Sequence, residues 1–424
     1  MNGMRRRGFL RCAAAAVLGG IAPAASGGAR AKVVIVGGGF AGARCALALR
    51  GLDAAIDVTL VEPGDRYVTC PMSNSVLVGL RTLESITVSH RGLASAGVKV
   101  VHDRVDGIDA ARRRARLARG GLLPYDRLVL AVGIRFLWGE PQGYDQAAAQ
   151  LMPHAWQAGP QTQILAAQLR AMHDGGVVAI SVPAGPIRCP PGPFERASLI
   201  AGYLRQRKPR SKVLIFDANN HFPKQDVFVN AWAELYPGMI EWIPVVQDGA
   251  VVRVEAAAKT VYTAQHEHRV DVANIIPRQA PAWLAVETGL AAARGWCPVS
   301  PATFESTLIP HIHVIGDACI ADPLPKAASA ALGEADQCAL AIGAALGGRR
   351  APEPSFESVC YSMLGPGRAL SIRSRFRWVD GELRQVQSSE APAGGLNDEA
   401  AIGAQEAQNA ADWYRRAVAD SFGV

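Results

Sequence analysis

Residues 33–42 read VVIVGGGFAG, a short β-branched run followed directly by a glycine-rich turn and then by helix-forming residues. This order predicts a strand, a phosphate-binding loop and a helix. Gly37 allows the tight turn, Gly39 allows the backbone to approach a pyrophosphate, and Gly42 allows the helix to pack closely on the strand. The stretch therefore predicts the first unit of a dinucleotide-binding fold.

An acidic residue stands where this type of fold needs one. A second strand is predicted at residues 57–61, and Glu62 follows it about 20 residues after Gly42. A carboxylate at this point accepts hydrogen bonds from both ribose hydroxyls of an adenosine. A lone G-x-G-x-x-G is weak evidence, but strand, glycines, helix, strand and acid in register are specific.

Two further segments predict which dinucleotide binds. Residues 125–133 form a predicted strand that ends in small residues, and residues 311–317 form another that ends in Gly316-Asp317. Asp317 at the carboxyl edge of a strand can hold a ribityl hydroxyl, and a helix starting near Lys326 can point its positive end at a flavin ring. The sequence therefore predicts FAD as the cofactor.

The sequence lacks the second glycine-rich loop that a reductase with two nucleotide sites would carry. After the predicted strand at residues 177–181, where a second glycine-rich loop belongs, residues 188–193 read RCPPGP. Three prolines remove the backbone N–H groups that a pyrophosphate needs, and Cys189 stands among them. We therefore expect a thiol in place of a nicotinamide site.

Composition indicates a large folded protein with no nucleic-acid partner. The chain has 424 residues, of which 49% are hydrophobic and 19% charged, and its formal charge is +7. Five arginines and no acid precede Lys32, which leaves 39 basic and 37 acidic residues in the remainder. The positive charge is therefore mostly a property of the leader, and the remainder of the chain carries a formal charge of only +2.

That leader resembles a twin-arginine export signal. Arg6-Arg7 precedes the small apolar run at residues 12–21, and small residues suited to cleavage follow at 22–24 and 29–31. The apolar run is too short to span a bilayer, so no transmembrane segment is expected. We predict a signal peptide at residues 1–31 and a periplasmic location, with export of the already folded, flavin-loaded protein.

The mature chain would keep an odd number of cysteines. After Cys12 leaves with the leader, seven remain: Cys45, Cys70, Cys189, Cys297, Cys319, Cys338 and Cys360. An odd number in an oxidising compartment indicates that one has a separate role. No C-x-x-C-H occurs, so this chain is not expected to attach a c-type haem itself. Histidine pairs at 266/268 and 311/313 lack further ligands, and no metal site is predicted.

Several longer motifs carry a family resemblance. Residues 67–74, 188–198, 295–299 and 360–362, together with Trp413-Tyr414 and Phe422-Gly423, resemble the flavoprotein subunit of flavocytochrome c sulfide dehydrogenase. The likeness runs from Lys32 to the C-terminus. It departs at residues 327–334, which are more apolar and, at Glu334, more acidic than the family pattern, and this leaves the flavin contacts of that helix open.

The resemblance implies roles that spacing alone does not give. Cys70 would be joined covalently to FAD, and Cys189 and Cys360 would form a redox disulfide beside the flavin. Without the family resemblance, the residues themselves favour ordinary buried thiols at Cys70 and Cys360. Glu195 would move a proton or set the local charge, or it is simply an acid at a helix start.

The implied activity is oxidation of hydrogen sulfide to sulfane sulfur, with electrons passed to a c-type cytochrome subunit. Two alternatives stay open at this point. One is a sulfide:quinone reductase, which would need an apolar surface near the C-terminus for membrane docking. The other is an accessory flavoprotein of a sulfur-oxidising complex with little turnover of its own.

The predicted fold class is α/β, with two dinucleotide-binding domains of the glutathione-reductase type and a C-terminal α+β interface domain. An FAD-binding domain is expected at residues 32–141 and 276–349. The second α/β domain, at residues 142–275, lacks the nicotinamide loop. The interface domain is expected at residues 350–424.

Overall fold

The computed structural model describes residues 30–292, 295–390 and 396–424. The predicted twin-arginine motif and the predicted cleavage site at residues 22–24 therefore lie outside the described residues, as does Ala29 of the second site. Ala31–Val424 forms one compact unit. Within the described residues, no helix combines the length and the apolar composition needed to cross a bilayer.

The first segment of the chain alternates strands with short helices. Its elements are β1 (Lys32–Val36), α1 (Phe40–Leu52), β2 (Asp57–Val61), β3 (Arg66–Val68), α2 (Ser73–Leu77), β4 (Thr87–Ser89), α3 (Arg91–Ser95), β5 (Lys99–Val101), β6 (Val105–Asp109), β7 (Arg114–Leu117), β8 (Leu122–Pro124), β9 (Arg127–Leu130) and β10 (Ile134–Phe136).

The middle segment builds a second α/β layer. It contains α4 (Ala148–Leu151), α5 (Pro160–Ala171), β11 (Val177–Val182), α6 (Gly192–Arg207), β12 (Lys212–Asp217), α7 (Gln225–Leu235), β13 (Ile240–Ile243), β14 (Arg253–Glu255), β15 (Thr260–Tyr262), β16 (Glu267–Arg269) and β17 (Val272–Ile275).

The chain then returns to the first layer and closes with a meander and a long helix. These elements are β18 (Gln279–Pro281), α8 (Trp283–Glu287), β19 (Cys297–Pro298), β20 (Ile312–Val314), β21 (Cys319–Ile320), α9 (Ala328–Leu346), β22 (Ser355–Gly365), β23 (Arg368–Val379), β24 (Glu382–Glu390) and α10 (Leu396–Phe422).

Two parallel sheets form the body of the molecule. The first has the order β20-β9-β1-β2-β5, so it combines strands from both ends of the predicted split domain. The second has the order β13-β12-β11-β17. Their central strands are continuous apolar runs because helices cover both faces of such sheets. Functional groups are expected beyond the carboxyl ends of these strands.

The antiparallel meander β22-β23-β24 contacts the cores of both sheets. Phe356, near the start of β22, packs in the core of the first sheet, whereas Leu364, near its end, packs in the core of the second. Cys360 lies halfway between these two residues. The strand therefore carries its cysteine to the junction between the two sheets.

Candidate active site

The glycine-rich turn between β1 and α1 is shaped by contacts within the chain. A Cβ at Gly37 would lie 2.4 Å from the Ala131 carbonyl oxygen, and Gly37 has a φ of +103°. A Cβ at Gly42 would lie 1.9 Å from the carbonyl oxygen of Gly37, and above Gly39 the Tyr67 ring is 3.5 Å away. Both Gly37 and Gly42 are therefore required for the turn to close, as the pattern predicts.

The acid after β2 lies beside this turn. Glu62 accepts hydrogen bonds from the backbone N–H groups of Gly38 (2.8 Å) and Gly64 (3.2 Å). Gly37 and Glu62 line a cavity of about 690 Å³ together with residues that include Asp103, Arg104 and Trp283. No side chain caps the N-terminus of α1, and its first turn contains no acid. A nucleotide with a pyrophosphate fits this combination of groups.

The predicted ribityl-binding turn follows β20. Gly316 has a φ of +73°, and a Cβ there would lie 3.1 Å from the Ala41 side chain at the start of α1. The Asp317 carboxylate lies 3.7 Å from the guanidinium of Arg188. Burial raises the pKa of Asp317, while Arg188 and Lys326 oppose that change. The turn thus joins the first sheet to the loop that bears Cys189.

Lys326 makes a second connection between the same two segments. Its ammonium donates a hydrogen bond to the Asp317 carbonyl (3.1 Å) and lies 3.8 Å from the centre of the Trp296 ring. Its carbonyl accepts the backbone N–H of Cys189 at 2.7 Å. The helix that the sequence places near Lys326 begins at Ala328.

The cysteine loop has a constrained backbone. Cys189 has a φ of +52°, and its carbonyl accepts the N–H of Gly192 at 2.8 Å, where α6 begins. A Cβ at Gly192 would lie 3.1 Å from the Cys189 sulfur and 2.8 Å from the Trp156 ring. Glycine at this position therefore leaves the room that the sulfur occupies.

Cys70 lies against the same loop. Its thiol is 3.9 Å from the Trp156 carbonyl oxygen, which also accepts a hydrogen bond from Arg188. The Cys70 thiol also interacts electrostatically with the Cys189 thiol and with the Tyr67 hydroxyl. Cys70, predicted to hold the cofactor, and Cys189 therefore lie in one neighbourhood.

Cys360 approaches Cys189 from β22. Burial raises the pKa of the Cys189 thiol well above its usual range, and Cys360 and Glu195 add to this effect. Burial also raises the pKa of Cys360, but the hydroxyls of Ser329 and Ser358 oppose that change. Both thiols are free and partly exposed in the structure, and the disulfide between them stays a prediction.

Glu195 projects from the first turn of α6 into the same region. Its Oε2 accepts a hydrogen bond from Asn74 Nδ2 at 3.0 Å, and the backbone of Met363 in β22 supplies another. Burial raises the pKa of Glu195 to about 7, against the opposing effect of these bonds. A carboxyl group with this pKa can exchange protons near neutral pH.

Arg196, which is 2% exposed, is linked to this carboxyl group through Asn74. Its Nε donates to Asn74 Oδ1 at 2.9 Å, which orients the amide so that its N–H group faces Glu195. The rest of the guanidinium donates to Asn274 Oδ1 (2.8 Å) and to the carbonyls of residues 154 and 155. This network fixes the position of the proton-exchanging group.

Sequence reasoning missed four of these supporting residues. Asn74 and Arg196 lie inside the motifs that carry the family resemblance, and this position was the one signal in the sequence that could have identified them. Ser329 and Ser358 had none, because hydroxyls near a thiol are recognised only once α9 and β22 meet. Ser329 Oγ lies 2.9 Å from Ser358 Oγ and 3.9 Å from the Cys360 sulfur.

The other cysteines and the histidine pairs lie apart from this constellation. Cys45, Cys297, Cys319 and Cys338 are buried. Burial lowers the pKa of His313 to about 4. Among the described residues, no group of histidine, cysteine and acidic side chains could hold a metal ion.

Fold and site together define a flavoprotein of the pyridine nucleotide-disulphide oxidoreductase class. The family model of that class matches residues 31–147. The sulfide:quinone oxidoreductase of Aquifex aeolicus shares the fold, with a TM-score of 0.74, 17% identity, and coverage of 93% of this chain and 92% of that chain. Putidaredoxin reductase, in its complex with putidaredoxin, has a TM-score of 0.63 at 19% identity, covering 83% and 82%. These matches confirm the predicted fold class.

Two more specific family models match two later segments of the chain. The central region of the sulfide dehydrogenase (flavocytochrome c) flavoprotein chain matches residues 162–277, and the flavocytochrome c sulphide dehydrogenase flavin-binding region matches residues 352–422. The flavoprotein chain from Chlorobaculum thiosulfatiphilum is 62% identical over 45 residues, which are 11% of this chain and 94% of that sequence. The chain belongs to the family of the flavocytochrome c sulfide dehydrogenase flavoprotein chain.

A further similar protein is a sulfide:quinone oxidoreductase. The mitochondrial sulfide:quinone oxidoreductase of Mus musculus is 22% identical over 325 residues, or 70% of this chain and 68% of that protein. The family assignment confirms the predicted resemblance, and its flavin-binding region supports FAD as the cofactor.

Proposed function

We propose that this protein oxidises hydrogen sulfide to sulfane sulfur and passes the electrons to a c-type cytochrome subunit. The observation that carries the proposal is the meeting of Cys189, Cys360 and Glu195 beside the Asp317 turn. A cysteine pair next to a proton-exchanging carboxyl group and a flavin site suits two-electron oxidation of a soft sulfur nucleophile. The family assignment supports the same substrate.

Thiol–disulfide exchange describes the first step. Hydrosulfide attacks one sulfur of a Cys189–Cys360 disulfide, so that a new S–S bond forms, the bond between the cysteines breaks, and one cysteine leaves as a thiolate. Cys360 is the better leaving group because the Ser329 and Ser358 hydroxyls stabilise its thiolate. Glu195 accepts the proton that hydrosulfide loses. Release of neutral sulfane sulfur leaves two electrons in the protein.

FAD, held by the groups around Gly39, Glu62 and Asp317, supplies a two-electron acceptor when bound. We propose that Cys70 holds it covalently, since the Cys70 thiol contacts the Trp156 carbonyl that also binds Arg188 of the cysteine loop. Arg188 and Lys326 place positive charge beside this site. Haem c on a partner subunit would accept these electrons one at a time.

A periplasmic location is part of the proposal. The twin-arginine pattern at residues 5–11 and the family's cytochrome partner support it together. Export of a folded chain would allow FAD to be bound before the protein leaves the cytoplasm.

A quinone acceptor is the second candidate, because two similar proteins carry sulfide:quinone oxidoreductase in their names. The end of α10 argues against membrane docking, since Asp412 and Arg415 form an exposed ion pair there. An apolar surface would be needed in this place.

Stopped-flow spectroscopy on the purified flavoprotein tests the proposal. Anaerobic sulfide should bleach the flavin band, and reoxidation by cytochrome c should be faster than reoxidation by a soluble quinone. Cys189→Ser and Cys360→Ser should abolish bleaching, whereas the control Cys338→Ala, which removes a buried thiol of α9, should retain it. Bleaching that survives Cys189→Ser would overturn the disulfide mechanism.

Other outcomes distinguish the alternatives. Faster reoxidation by the quinone would favour the second candidate, and no turnover with either acceptor would favour an accessory role. Acid precipitation should leave flavin attached to the wild-type chain and release it from Cys70→Ala. Free FAD released from the wild type would contradict the covalent link.

A further inference from the structure

A buried carboxyl group behind the flavin-site turn has no role in the proposed chemistry. Glu334 lies in the second turn of α9 and is 4% exposed. Its Oε2 accepts the backbone N–H of Gly316 at 2.6 Å, and the Cys319 thiol donates to the same oxygen at 3.6 Å. Burying an ionisable carboxyl group costs free energy, so a functional role for Glu334 would account for its presence here.

The contacts of Glu334 continue to the cysteine loop. Gly316 precedes Asp317, whose carbonyl accepts a hydrogen bond from Lys326. The Lys326 carbonyl in turn accepts the N–H of Cys189. Glu334 therefore lies at one end of a chain of bonded groups that passes the flavin site and reaches the reactive thiol.

The titratable groups that interact with Glu334 are Asp317 in the turn, Cys319 in β21, Lys326 before α9, and Cys338 in α9 itself. Burial raises the pKa of Glu334 to about 7; the Gly316 N–H opposes this change, Asp317 adds to it, and Lys326 opposes it. Added negative charge nearby would favour the protonated form further.

We propose that Glu334 is a positioning residue that ties the Gly316–Asp317 turn to α9 and takes up one proton from solvent when the adjacent flavin site gains two electrons. An O–H bond forms at Glu334 and no bond of the protein breaks. The carboxylate thus offsets the charge added on reduction. This inference rests on the proposed flavin site but not on sulfide as the substrate.

Potentiometric titration of the FAD-loaded protein, poised with dye mediators and without sulfide, tests the inference. The midpoint potential of the wild type should fall more steeply above about pH 7, by an extra amount of about 30 mV per pH unit, equivalent to one proton per two electrons. Glu334→Gln keeps an acceptor for Gly316 and removes the titrating charge. Its potential should lack the extra slope while its FAD content stays unchanged.

Two comparisons make the test decisive. Glu357→Gln, which removes an exposed acid on β22, should keep the wild-type profile. Glu334→Ala, which also removes the acceptor, should lower the thermal stability and FAD retention relative to Glu334→Gln. Equal pH profiles for the wild type and Glu334→Gln would overturn the proton uptake, and equal stability of Glu334→Ala and Glu334→Gln would overturn the positioning role. A protein that shows the extra slope but does not oxidise sulfide would contradict only the proposed function.

Discussion

At the scale of single residues, the site works through the orientation of Asn74. Its Oδ1 accepts from Arg196 and its Nδ2 donates to Glu195, so the amide has one stable orientation. An amide held from one side is a fixed donor on the other. The acid is therefore tuned by a residue that carries no charge and does no chemistry itself.

Asn74→Ala should shift the pH dependence of flavin reduction by sulfide. The hydrogen bond from Asn74 favours the ionised form of Glu195, so its loss raises the pKa of Glu195 above about 7. Because the ionised form accepts the proton, the rising limb of the profile of kcat/KM should move to higher pH. Asn409→Ala on α10 serves as the control, and an unmoved limb in Asn74→Ala would contradict the role.

Ser329→Ala should make the reduced Cys360 less reactive. The hydroxyl lowers the pKa of the Cys360 thiol against the effect of burial, so its removal reduces the thiolate fraction at neutral pH. Alkylation of the reduced protein, followed by peptide mass spectrometry, should show slower modification at Cys360 than in the wild type. The modification rate at Cys189 is the internal control.

At the scale of elements, the start of α6 is packed around a sulfur atom. Gly192 lies where a side chain would meet both Trp156 and Cys189. The two parts of the loop, a positive φ at Cys189 and a glycine three residues later, therefore act as one unit. A loop with this geometry presents a thiol where related folds present backbone N–H groups.

Gly192→Ala should displace the Cys189 sulfur and slow flavin reduction by sulfide by about tenfold or more, since small misplacements at reacting atoms are costly. Stopped-flow rates at saturating sulfide measure the effect. Gly51→Ala is the matched control, because a Cβ at this position in α1 would meet no atom within 4 Å. Equal rates in the two variants would argue against a packing role for Gly192.

At the scale of the whole molecule, the fold leaves some cysteines partly exposed to solvent and buries the others. Cys70, Cys189 and Cys360 are partly exposed, whereas the other four of the described cysteines are buried. The three partly exposed thiols come from three distant segments and lie in the region where the two sheets and β22 meet. Burial of the rest keeps them out of exchange reactions with the active pair.

Maleimide labelling of the reduced native protein should modify Cys189 and Cys360 and leave Cys45, Cys297, Cys319 and Cys338 unmodified. The four buried cysteines should react only after denaturation, because the reagent reaches a buried thiol only when the protein unfolds globally. Peptide mass spectrometry reads out both conditions. Rapid labelling of any buried cysteine in the native state would contradict the described packing.

The features of this protein that could be predicted from its sequence alone are those formed by contiguous residues. The glycine-rich turn, the acid after β2, the Gly316–Asp317 turn and the proline-rich cysteine loop each follow a strand pattern, and the structure places each at the end of a strand. Local steric and hydrogen-bonding requirements set these features, so they can be read from a short window.

Tertiary structure decided which of these parts meet. Cys189 and Cys360, like Asn74 and Glu195, are separated along the chain by other elements. Ser329 and Ser358 lie on consecutive elements, α9 and β22, and no local pattern pairs them either. Cys360 comes near Cys189 because β22 packs against both cores at once, whereas Asn74 meets Glu195 because α2 packs on α6. Burial by that packing, and not the residue types alone, raised the pKa values of Glu195 and Glu334 to about 7 because a carboxylate loses its solvation there.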